Sequence, residues 1–104
     1  MFKYTLRPAE KSLYVNLPDK LKFGFEFLKS VCNLLDKTIN TPCDHVYVAC
    51  NPASNYDNLS KAYLYNVLKY ISLRKKVYWN SDLKSMITSS IHSKKVQILP
   101  LLLI

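Results

Sequence analysis

Between His45 and Ile71 the spacing of the apolar residues changes period, and that change constrains the fold more than any other feature. In "HVYVAC" Val46, Val48 and Cys50 alternate, as in a strand with one apolar face. After the polar loop that follows, Leu64, Val67, Leu68 and Ile71 recur at three- and four-residue spacing, as on one face of a helix. Asp57 or Asn58 stands where a cap is needed, and Arg74, Lys75 and Lys76 stand where cations favour a helix C-terminus.

Helical and extended stretches flank this unit on both sides, with no internal repeat. From Phe23 to about Ile39, Phe27, Leu28, Val31, Leu35 and Ile39 make one helical face. Val77 to Trp79 reads as a strand, and "NSDLKSMITSSI" as a helix opened by Asn80 or Ser81, with Leu83, Met86, Ile87 and Ile91 inward. Val96 to Ile104 reads as a last strand, at an edge or bulged at Pro100. Helices alternating with strands predict an α/β fold, a three-layer α/β/α sandwich with helices on both sheet faces. The first twenty residues hold two extended stretches, Phe2 to Leu6 and Ser12 to Leu17, separated by "RPAEK". They read as an N-terminal arm, residues 1–20, ahead of a single α/β domain, residues 21–104.

Composition narrows the chemistry. The one glycine, Gly24, is far from any strand-to-helix turn, so a glycine-rich phosphate cradle of the Rossmann or P-loop type is excluded. Cys32, Cys43 and Cys50 have neither zinc-site nor disulfide spacing; Cys32 and Cys50 read as core residues, and the chain as one from a reducing compartment. The opening residues do not read as a signal peptide, and "VQILPLLLI" is too short to span a bilayer, so no membrane is expected.

Enzyme chemistry finds little footing. "NPASNYD" resembles superficially the Asn-Pro-Asp loop of DHH-type phosphoesterases, but His45 and Asp57 alone do not make a two-metal site. His45 and His92 lack a Cys, Ser or carboxylate partner at informative spacing, and the seven acidic residues are scattered singly. A non-catalytic protein without metal or cofactor is the expectation.

The charge points elsewhere. Fifteen basic residues against seven acidic ones give +8, and the excess is concentrated in the second half of the chain. Such a field favours polyanions. Lys20, Lys22 and Lys29 near the first helix, Lys61 in the second, and Lys94 and Lys95 before the last strand are expected to converge at one end of the sandwich. Tyr47, Tyr56, Tyr63, Tyr65, Tyr70 and Tyr78 are able to stack on unpaired bases if exposed, and Tyr56, in the loop after the first long strand, is singled out.

The order of elements and several strings resemble the L-seven-Ae/L-thirty-e family of kink-turn RNA-binding proteins over residues 20–104. "FEFLKSV" is similar to the family's first RNA-binding helix, with Glu26 and Lys29 at the acidic and basic positions of its Asn-Glu-x-x-Lys pattern. "VYVACNPAS" resembles its strand and following loop, "VYWNSDLKSMITSSI" its later strand and short helix, and "IHSKKVQILPLL" its final turn and strand. Phe25 stands where the family usually has the Asn that contacts sheared G·A pairs. Within the family the nearest likeness is to RNase P/MRP subunits of the Pop-three and Rpp-thirty-eight kind.

The resemblance implies the three-layer fold, a nuclear or nucleolar ribonucleoprotein, and structured RNA and other protein subunits as partners. The implied RNA-binding residues are Lys22, Glu26, Lys29, Asn51, Tyr56, Lys61, His92, Lys94 and Lys95. The alternative is a protein-interaction module of a viral or organellar assembly, docking through an edge strand or the tyrosine-rich second helix.

Overall fold

The computed structural model describes residues 2–94, and the side chains of residues 88–94 lie outside the description. The strands are β1 (Lys3–Arg7), β2 (Ser12–Asn16), β3 (Lys20–Leu21), β4 (His45–Ala49), β5 (Asn55–Tyr56) and β6 (Lys76–Trp79); the helices are α1 (Phe25–Asn40), α2 (Asn58–Ser72) and α3 (Ser81–Lys94). The fold is mixed α/β, with a four-stranded sheet ordered β1-β2-β4-β6 and a small pair, β3 with β5. β1 is antiparallel to β2, while β2, β4 and β6 are mutually parallel.

The first twenty residues are extended as expected, but β1 and β2 are members of the sheet and not an arm outside the domain. Leu13 and Val15 are almost wholly buried, and β2 pairs with β4 from Ser12↔His45 to Asn16↔Ala49. A short 3₁₀ turn over Pro8–Glu10 joins the two strands, ending at Lys11 in the left-handed region, φ 51°. The Lys11 carbonyl then accepts from the backbone N–H of Asp44 and of His45, fastening the turn to the start of β4.

The expected three-layer arrangement is not what the described residues form. β2-α1-β4 and β4-α2-β6 step across the sheet in one direction, and right-handed crossovers then put α1 and α2 on the same face. α3 packs on α2 and β4, and its Leu83 and Ile87 join Leu13, Val15, Val46, Val48, Phe27, Leu34, Leu64 and Leu68 in one core. All three helices therefore share one side of the sheet. Each fully buried large side chain contributes about 1.5–3 kcal/mol.

Most expected inward residues are inward, including Val46, Val48 and Cys50 in and just after β4, Leu64, Val67, Leu68 and Ile71 in α2, and Leu83 and Ile87 in α3. In α1 the stripe is rotated: Phe27, Val31, Leu34 and Thr38 are buried, while Ile39 is exposed. Thr38 is tolerated there because its hydroxyl donates to the Leu34 carbonyl at 2.8 Å. The same rotation leaves Cys32 exposed, and Cys43 is buried in its stead. The strand expected over Val96–Ile104 and the inward placement of Ile91 lie outside what is described.

Candidate nucleic-acid interface

The loops at the carboxyl ends of the parallel strands are clasped together. Asn55 N–H donates to the Asp19 carbonyl at 2.7 Å, Asn51 Nδ2 to Asp19 Oδ1 at 2.6 Å, and the Tyr56 hydroxyl to the Pro18 carbonyl at 2.7 Å. Asp57 caps α2 by accepting from Ser60 N–H at 2.8 Å, and its other oxygen accepts from Phe23 N–H at 2.8 Å, so the entries to both helices hang on one carboxylate. Burial alone would raise the Asp57 pKa, but the bonds from Ser60 and Phe23 and the charge of Lys22 outweigh it, and the pKa is lowered.

Of the residues expected to bind RNA, Lys22, Glu26, Lys29, Asn51 and Lys61 do lie around these loops and helix starts, with Lys22, Glu26, Lys29 and Asn51 exposed. Tyr56 does not serve: it is 3% exposed, and burial pushes its hydroxyl pKa up. Its ring is a core residue because the short pair β3 and β5 turns it inward, a pairing of two residues each that leaves no periodic signal. The backbone of His92 and Lys94 lies in the last turn of α3, about 16–20 Å along the helix axis from its start beside Cys50, away from Asn51 at this end. Lys95 lies outside the described residues. The end is also electrically mixed, since Asp19, Glu26, Asp57 and Asp82 stand among its lysines.

On the sheet face away from the helices, the charged residues of the strands themselves are all basic. The register lines up Arg7, Ser12, His45 and Lys76 in one row, Thr5, Tyr14, Tyr47 and Tyr78 in the next, and Lys3, Asn16 and Ala49 in a third. No Asp or Glu stands on this side of the four strands. Glu10, in the turn before β2, is drawn to Arg7 at 3.7 Å and accepts from the Tyr14 hydroxyl at 3.2 Å. Among the described residues no helix packs over these rows.

The tyrosines are stacked upon one another, Tyr14 on Tyr47 with ring centres 4.8 Å apart and Tyr47 on Tyr78 at 4.9 Å, with planes within 12° and 17°. The Arg7 guanidinium lies over the outer face of the series, 4.8 Å from the Tyr14 ring centre. His45 tilts against Tyr78 at 5.9 Å and Tyr47 at 6.5 Å, and its Nδ1 is buried without a hydrogen-bond partner among the described residues. Partial cover and the neighbouring Glu10 raise the Tyr14 pKa, keeping a neutral phenol in the row.

No family model, curated protein or solved structure matches the chain. The functional reading therefore rests on the residues themselves.

Sequence reasoning passed over this face. Tyr47 and Tyr78 were legible as stacking candidates, but Lys3, Arg7 and Lys76 are far apart in sequence and meet only through strand register. No group of three or more His, Cys, Asp and Glu side chains suited to a metal occurs among the described residues. Burial pushes the Cys50 thiol pKa up, which disfavours the reactive thiolate. No described helix is long and apolar enough to cross a membrane.

Proposed function

We propose that this chain is a non-catalytic RNA-binding protein, a subunit of a ribonucleoprotein, and that it meets RNA on the open face of its sheet. One observation carries the reading: Lys3, Arg7 and Lys76 surround a row of three tyrosines on a face whose strands bear no Asp or Glu, with Glu10 in the adjoining turn paired to Arg7. Cations contact phosphates and position the strand, while neutral phenols and rings offer donors and apolar surface to sugar and base. The mixed charge at the carboxyl end, and the commitment of Asn51 and Tyr56 to structural bonds, favour the open face over the end expected from the resemblance.

The likeness to the kink-turn family, and to RNase P/MRP subunits within it, guides the choice of RNA for the test. Purified protein is titrated with a kink-turn, an RNase P/MRP stem-loop and an unstructured strand, comparing Arg7→Ala/Lys76→Ala with Lys22→Ala/Lys29→Ala. The first pair is expected to weaken binding about tenfold and the second about twofold or less. The reverse ranking would move the site to the carboxyl end.

The protein-interaction reading has its own observation in Phe25 and Leu59, 74% and 52% exposed on the first turns of α1 and α2. Absence of RNA binding even at low salt would put that reading first.

A further inference from the structure

We infer that the tyrosine row accepts one unpaired base against the outer face of the Tyr78 ring, so that the protein selects RNA that is single-stranded at the point of contact. The inference rests on the RNA-binding reading and specifies the form of RNA.

The rings of the row differ in how their faces are covered. Tyr47 has both faces covered, by Tyr14 and by Tyr78. Tyr14 has one face on Tyr47 and the other under Arg7. Tyr78 has one face on Tyr47, with His45 tilted against it at 5.9 Å; the residue is 43% exposed and lies in β6, an edge strand of the described sheet. The row is thus a stack with one end closed by a guanidinium and the other open.

The open end takes a flat π surface, and each nucleobase has one regardless of sequence. A base inside a duplex has both faces covered by its neighbours, so a base free of pairing is required. Charge favours a nucleotide over an aromatic peptide side chain. Lys76 lies two residues before Tyr78 on the same side, Arg7 and His45 continue its row, and Lys69 and Lys84 line the groove along the β6 edge with Tyr65, Tyr78 and Trp79.

The test uses the full chain and a short RNA carrying one 2-aminopurine, either single-stranded or annealed to its complement, with Tyr78→Ala, Tyr78→Leu and Tyr78→Phe beside the unaltered protein. The expected result is a change in 2-aminopurine emission on binding the single strand, with the duplex bound at least about tenfold more weakly. Tyr78→Ala and Tyr78→Leu should lose about tenfold for the single strand, while Tyr78→Phe stays within about twofold. Leu keeps apolar bulk without a π face, which separates stacking from simple packing.

Equal binding of both RNA forms, retention by Tyr78→Leu, or a loss by Tyr78→Phe as large as by Tyr78→Ala would each overturn the stacking inference while leaving RNA binding in place. Failure to bind either RNA form would remove the RNA-binding reading itself.

Discussion

At the scale of single residues, Asp57 does more than a cap ordinarily does. It was legible as one of two cap candidates, Asp57 or Asn58, but its second bond to Phe23 joins segments 34 residues apart and leaves no local pattern. Asp57→Ala should destabilise the fold by about 1–2 kcal/mol, read as a lowered denaturation midpoint in urea. Because the folded pKa is depressed, the carboxylate's contribution is complete above the unfolded value, near 3.8, and is lost as pH falls through the folded value. Asp57→Asn keeps a capping oxygen without that titration. Its melting temperature should therefore fall less steeply than that of the unaltered protein in acid below about pH 4. Tyr56 is the opposite case: its residue type suggested an RNA contact, whereas its bond to Pro18 makes it part of the frame.

At the scale of elements, the long helices and the central strand could be read from period, because each buries a single face. Their ends were readable where the cap is polar and local. Asn80 is such an end, and its side chain also extends the sheet: Oδ1 accepts from Leu83 N–H at 3.0 Å and Cys50 N–H at 3.4 Å, while Nδ2 donates to the Cys50 carbonyl at 2.9 Å. Asn80→Ala should cost about 1–2 kcal/mol and Asn80→Asp less, since Asp keeps the cap and loses only the donor to Cys50. Equal losses in thermal denaturation would assign the whole effect to that donor. Residues 1–20 were misjudged as an arm because "RPAEK" looks like a break between separate segments, whereas the 3₁₀ turn uses Pro8 and Lys11 to fold one strand back on the next. The buried stripe of α1 was hidden in part by Thr38, which counts as polar until its hydroxyl finds the Leu34 carbonyl.

At the scale of the whole molecule, sidedness was the part that sequence hid. "HVYVA" places His45 and Tyr47 opposite Val46 and Val48, and a tyrosine suits either a core or a wet surface, so alternation alone does not tell a covered face from an open one. Strand order decides it by sending both crossovers the same way. The open face then sets the electrostatic behaviour: with Lys3, Arg7 and Lys76 neutralising three phosphates, log K for single-stranded RNA should fall with log salt at a slope of about −2, and Lys76→Ala should make it shallower by about 0.7. A slope near zero would mean that the face does not hold the phosphate chain. The spacing of the tyrosine row has a last consequence. Its rings repeat every 4.8–4.9 Å, the separation of strands, whereas bases along a nucleic-acid strand repeat about every 3.4 Å. The two rulers come back into step only after roughly 24 Å, well beyond the reach of three rings. On the proposed reading, in which Tyr78 alone offers an open ring face, a strand has no second equivalent setting to slide to: it has a single notch in which to rest.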